Sequence, residues 1–205
     1  MSSSLPPIAT IVLAQRNAKA FEEAIGSLSF MSNLKILSEG KAFECGVVDS
    51  LTQDDIYTAL TACNILADVC IQPAKGRRKK LLICDMDSTL IGQECIDELA
   101  DFADVKDRVS DITERAMRGE IGFEGALTER VSLLKGLDLS VLQTCFEERI
   151  IINPGAKTLC QTMKAHGLET VIVSGGFTFF TERVAKACGF EHHQANTLLD
   201  NGQTL

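Results

Sequence analysis

The sequence predicts an α/β protein built in two parts, and three observations carry that expectation. Residues Leu81 to Cys84 form a continuous apolar run, the pattern of a strand in a parallel sheet covered on both faces. Leu168 to Val173 repeats the pattern after a helical stretch, as a second parallel strand requires. Ahead of residue 74, short strand and helix patterns follow one another as βαββαβ, the split-βαβ order of a small ferredoxin-like α+β domain.

The amino-terminal elements are read from their periodicities. Ile8 to Leu13 is a short apolar strand, and Asn17 to Leu28 has the spacing of an amphipathic helix. Leu34 to Ser38 and Ala42 to Val48 are strand-like and flank the turn Glu39-Gly40. Leu51 to Cys63 is helical, with Ser50 or Thr52 placed to cap it, and Ala67 to Ile71 closes the series as a strand. The run Ala74-Lys-Gly-Arg-Arg-Lys-Lys80 is basic enough for a nucleic-acid patch, but its place between two apolar strands favours a solvated linker. The division is residues 1–74, a linker at 75–80, and a second domain from 81 to 205.

Behind Leu81 to Cys84, four segments have apolar residues at helical spacing: Glu94 to Ala103, Val105 to Gly119, Phe123 to Lys135 and Leu139 to Glu148. Gly119, Gly122 and Gly136 break them. Pro154 opens another helix that Gly167 stops. Phe177 to Gly189 is helical, His192 to Ala195 suits a third strand, and Thr197 to Leu205 reads as a hairpin around Asn201-Gly202. His192 and His193 are adjacent on a strand, so their side chains face opposite ways and are read as structural.

Composition narrows the functions. A net charge of −8 opposes general nucleic-acid binding. The start, Met1-Ser-Ser-Ser-Leu-Pro-Pro7, lacks the features of a signal peptide, and no stretch is long enough to span a membrane. Eight cysteines without tight metal-like spacing, Cys70, Cys84 and Cys160 among them within apolar runs, read as reduced core residues. The expectation is a cytoplasmic protein that binds neither membrane nor nucleic acid.

Asp85 and Asp87 stand where the apolar run ends, and open parallel sheets gather ligands at the carboxyl ends of their strands. Two close carboxylates repel unless a cation or a proton intervenes, which points to a hard divalent ion such as Mg2+. The string Asp85-Met-Asp-Ser-Thr-Leu-Ile resembles the Asp-x-Asp-x-Thr motif of the haloacid dehalogenase superfamily. Its continuation, Gly-Gln-Glu-Cys-Ile-Asp-Glu-Leu-Ala100, is similar to the phosphoserine phosphatases within that superfamily. The resemblance implies a doubly wound, Rossmann-like core with a helical cap at about 94–150. It also implies magnesium-dependent hydrolysis of O-phospho-L-serine, the last step of L-serine biosynthesis.

On that resemblance Asp85 is nucleophile and metal ligand, and Asp87 is general acid/base with its carbonyl on the metal. Ser174 and Gly175, in Ser174-Gly-Gly-Phe177, bind phosphate; without the resemblance they are an ordinary turn. Glu94 takes the substrate ammonium and Arg130 its carboxylate, although spacing alone makes both surface charges. Met117 and Phe123 match apolar walls of the substrate site or are cap-core residues. The amino-terminal domain resembles amino-acid-binding regulatory (ACT-like) domains, and a folding or homodimerisation module is the other reading. The family's third motif, a Lys, and its fourth, an acidic pair, do not occur before Leu205. A truncated or incompletely determined form of a longer phosphatase, with an exposed edge at Leu81 to Asp85, is therefore expected. A phosphatase for another small phosphomonoester and an inactive regulatory fragment are the alternatives.

Overall fold

A computed structural model describes residues 5–28 and 31–205, so the first four residues of the Met1–Pro7 stretch lie outside it. The chain divides into two compact units, Met1–Arg78 and Lys79–Leu205.

The first unit follows the order β1 (Ile8–Leu13), α1 (Ala18–Ser27), β2 (Ser32–Ser38), β3 (Ala42–Gly46), α2 (Gln53–Ala62), β4 (Ala67–Gln72). Its sheet is antiparallel, in the order β2-β3-β1-β4. Alternation along β1 buries Ala9, Ile11 and Leu13 on the face that meets Phe43, Phe21 and the α2 residues Ile56 and Leu60. Phe21 and Phe43 meet edge to face, 5.4 Å between centroids. Thr52, not Ser50, caps α2, in a reciprocal capping box with Asp55. Cys70 is exposed rather than buried, because it lies on the uncovered face of the edge strand β4.

The basic stretch is not wholly solvated. Arg77 folds back on the sheet, donating to Glu44 and Thr10. That bond holds the Glu44 carboxyl below its usual range against the opposing effect of burial, with help from the charges of Arg77 and Lys35.

The second unit holds β5 (Leu81–Cys84), the helices α3 (Cys95–Phe102), α4 (Lys106–Met117), α5 (Phe123–Ser132) and α6 (Ser140–Arg149), then α7 (Ala156–Ala165), β6 (Glu169–Phe177), α8 (Thr178–Cys188) and β7 (His192–Asn196). The sheet is parallel, in the order β5-β6-β7. Leu82, Cys84, Thr170 and Ile172 share one face and join the core formed with α7 and α8. The other face is open: Leu81 is 47% exposed, Ile83 59% and Val173 49%. Among the described residues the helices packed on this sheet lie on one face, and β5 is an edge strand.

The expected hairpin at the end of the chain is replaced by a longer-range pairing. Asn201 closes a tight turn with Thr204, and residues 203–205 bond to the segment between α5 and α6. Thr204 bridges Asp138, and Leu205 exchanges bonds with Leu137 and Gly136. The polar Asn-Gly turn forms, but its following arm finds partners outside the local ladder. Among the described residues no helix is long and apolar enough to cross a membrane.

Arg77→Ala is expected to destabilise the chain by about 1–2 kcal/mol near neutral pH, the scale of a lost charged hydrogen bond. Because the folded-state value of Glu44 is depressed, this contribution is present above the ordinary Glu range and fades as pH falls through the folded value. Urea unfolding of the full chain at about pH 7 and about pH 3 checks it; an undiminished difference at the lower pH contradicts the pairing.

Candidate active site

The parallel register sets Cys84 beside Ile172, so the residues that follow both strands emerge at the same edge of the sheet. After β5 the chain tightens at once: the amides of Thr89, Leu90 and Ile91 all donate to the carbonyl of Met86, whose side chain is fully buried. Met86 N–H in turn donates to Asp85 Oδ1 at 2.6 Å. Ser88 sits in the left-handed region (φ 50°), uncommon for a non-glycine residue, and its Oγ donates to Glu94 Oε1 at 2.6 Å. Asp87 Oδ1 accepts the amide of Cys95, the first residue of α3, at 3.3 Å. A carboxylate at a helix amino-terminus is electrostatically favoured.

Sequence reading places Ser174-Gly175-Gly176 in a turn between strand and helix. In the structure β6 continues to Phe177 and carries these residues as a bulge. Val173 pairs with Gln194 and Phe177 with Asn196, so three residues of β6 face a single residue of β7. Ser174 Oγ accepts the Gly176 amide at 2.9 Å. A Cβ at Gly176 would fall 2.6 Å from Asp87 Oδ2 and 3.2 Å from Met86 Cε and Ser174 Oγ, so a side chain there would displace these groups. Asn196 Nδ2 donates to the carbonyl of Gly175 at 2.8 Å and to that of Gly176 at 3.4 Å.

The helical insertion is tied at its base. Ile91 and Ile152 form an antiparallel bridge, Gly92 and Asn153 exchange further backbone bonds with Ile151 and Leu90, and Asn153 Nδ2 donates to Thr89 O. This stem returns α5 over the strand ends. Arg130 on α5 is anchored by Nε on the Ala126 carbonyl and by Nη1 on Thr113 Oγ1, each at 3.3 Å. Phe123 is not a cap-core residue: it is 63% exposed and its ring lies against Gly175. Met117 is 85% exposed and lies outside the cavity lining.

One cavity of about 150 Å³ gathers all six sequence-predicted residues: Asp85, Asp87, Glu94, Arg130, Ser174 and Gly175. Phe123, Ile96, Leu127, Gly176 and Phe177 complete its wall. The last four were not singled out from sequence. Gly176 had a signal in the Gly-Gly pair, whereas Ile96 and Leu127 carry only the periodicity of any helix face. A more voluminous groove between α6 and α8 has its one arginine already committed, Arg183 stacking on Phe179 and bonding Gln143.

Burial pushes the Asp87 carboxyl above its ordinary value; hydrogen bonds from Cys95 oppose this, and the charges of Glu94 and Asp85 reinforce it. Burial likewise raises the Cys95 thiol, with Asp87 adding to the effect, which favours its protonated form. Among the described residues no group of three His, Cys, Asp or Glu side chains forms a metal cage. The two aspartates are hard oxygen donors, and magnesium is commonly held by one or two carboxylates with water and substrate phosphate. The donor set thus fits that ion.

The family profile of haloacid dehalogenase-like hydrolases matches residues 82–204. A phosphoserine phosphatase of Archaeoglobus fulgidus is 48% identical over 139 residues, 66% of this chain and 40% of the relative. A probable phosphoserine phosphatase of Schizosaccharomyces pombe is 37% identical over 206 residues, 96% of this chain and 67% of the relative. A solved phospho-aspartyl intermediate analogue of phosphoserine phosphatase is 36% identical, covers 62% of this chain and 61% of that one, and superposes with a TM-score of 0.56. This chain spans about half the length of several curated relatives it matches. With a parallel sheet, a helical insertion behind its first strand and the profile match over most of the chain, the protein belongs to the haloacid dehalogenase-like hydrolase family.

Proposed function

We propose that this chain carries the substrate-recognising part of a magnesium-dependent phosphoserine phosphatase, which converts O-phospho-L-serine and water to L-serine and phosphate. The observation that carries the reading is the convergence, in one small cavity, of two aspartates, a hydroxyl-glycine bulge, a carboxylate and an arginine. Phosphoserine offers each a counterpart: a phosphoryl group, an ammonium and a carboxylate. The phosphoserine phosphatases among its relatives support the same substrate.

A carboxylate oxygen of Asp85 attacks phosphorus as the bond to the seryl oxygen breaks, giving an aspartyl-phosphate. Asp87 delivers its proton to the departing oxygen, then takes one from the water that hydrolyses the acyl-phosphate. Its raised proton affinity suits the first role and its contact with the Cys95 amide fixes its direction. Ser174 and Gly175 hold the phosphoryl oxygens; Glu94, steadied by Ser88, receives the ammonium. Arg130 uses two donors to anchor itself and keeps others for the carboxylate. Asp85 and Asp87 would hold magnesium, which when bound neutralises charge on the phosphoryl oxygens. The helices at 94–150 act as a cap that excludes water.

The domain reading is residues 1–74, a linker at 75–80 and a catalytic domain from 81 to 205. The βαββαβ order and the β2-β3-β1-β4 sheet support a ferredoxin-like, ACT-like module in the first part, either for folding and homodimerisation or for amino-acid sensing.

In the full-length protein, Asp85→Asn is expected to abolish phosphoserine turnover while leaving the thermal transition in place, since an amide cannot form the acyl-phosphate. Substantial residual activity would remove Asp85 from the nucleophile role. Arg130→Ala should lower kcat/KM for phosphoserine by about 30- to 1,000-fold, roughly 2–4 kcal/mol, and spare an ester without a carboxylate. Equal losses on the two substrates would show that Arg130 supports the cap instead.

A further inference from the structure

We infer that Asn196 is a positioning residue for the phosphate-binding bulge, acting through its carbonyls rather than by touching substrate. The inference rests on the reading of Ser174 and Gly175 as phosphate ligands. Three residues of β6 stand opposite one residue of β7, so the bulge gives up ladder hydrogen bonds that would otherwise hold it. It also contains two consecutive glycines, the residues with the greatest backbone freedom. The second lies close to the Asp87 carboxylate, whose Oδ2 a Cβ at position 176 would approach to 2.6 Å. The bulge thus combines few ladder bonds with a permissive backbone, and a contact from outside it can fix its geometry.

Asn196 supplies it. One amide group donates to two successive carbonyls, at 2.8 Å to Gly175 and 3.4 Å to Gly176. Each peptide unit is planar and trans, so fixing a carbonyl on one side turns the next N–H to the opposite side. Holding the Gly175 carbonyl thus aims the Gly176 N–H, which donates to Ser174 Oγ at 2.9 Å. With that oxygen accepting a bond from within the bulge, the Ser174 hydroxyl proton is left to donate to an anion. Asn196, the Gly175–Gly176 peptide and Ser174 form a chain of dipoles that reinforce one another and end at the phosphoryl position. An aspartate would be isosteric here but could not donate, and would set a negative charge against two carbonyl oxygens.

The test is titration calorimetry of the full-length protein, with magnesium present, using inorganic phosphate and, separately, L-serine. Asn196→Ala is expected to weaken phosphate binding about tenfold, the scale seen when a group orienting a binding residue is removed. Asn196→Asp should weaken it further. L-serine, held by Glu94 and Arg130, should bind both variants within about twofold of the unmutated protein. Because Asn196 is exposed, thermal melts are expected to change little. Unchanged phosphate affinity in both variants overturns the inference. So does a parallel loss of phosphate and serine affinity, which marks a merely structural role. If the unmutated protein binds phosphate but not L-serine, the phosphoserine reading fails while the role of Asn196 stands; absence of phosphate binding in the unmutated protein overturns both.

Discussion

The close approach of the Asp87 carboxylate to the backbone of Gly176 governs the site. The parallel register brings the ends of β5 and β6 together, and a side chain at position 176 would have to displace the carboxylate. Burial of Asp87, reinforced by the negative charges of Glu94 and Asp85 and opposed by the Cys95 hydrogen bonds, favours its protonated form.

The insertion meets a different demand. Its helices must reach over the strand ends and still return the chain to the sheet. The bridge between Ile91 and Ile152 and the Asn153 side chain tie both ends of the insertion within a few residues of the aspartates. Arg130 and Phe123 are therefore placed by a short stem rather than by a long lever. Thr113 on α4 holds the Arg130 guanidinium from behind, which couples two helices to the orientation of one charge.

The sheet itself is asymmetric. Apolar side chains of one parity along β5 and β6 enter the core, and those of the other parity, Leu81, Ile83 and Val173, are exposed. The run of apolar residues in β5 would allow cover on both faces, but the described helices supply it on one. At the end of the chain, the three residues after Gly202 pair with the segment between α5 and α6, an association between parts of the chain far apart in sequence.

Much of this was legible in the sequence because it depends on local rules. Alternating and helical apolar spacing marked the elements to within a few residues, and the apolar run marked Asp85 and Asp87 as standing at the end of a strand. The resemblance of the segment from Asp85 onward supplied Glu94, Arg130, Ser174 and Gly175, which spacing alone leaves as surface charges and a turn. Tertiary structure decided what no local rule contains. It made Ser174 to Gly176 a bulge, because β7 offers one residue against three, and assigned Asn196 to hold that bulge. It brought Arg77 back onto Glu44 and left Cys70 on an outer face. It sent the final residues to a distant loop instead of a hairpin. The sequence by itself determined the elements and the chemical groups, since these follow from neighbours along the chain. Tertiary structure alone decided which groups face one another, since that depends on register and packing between segments far apart in sequence.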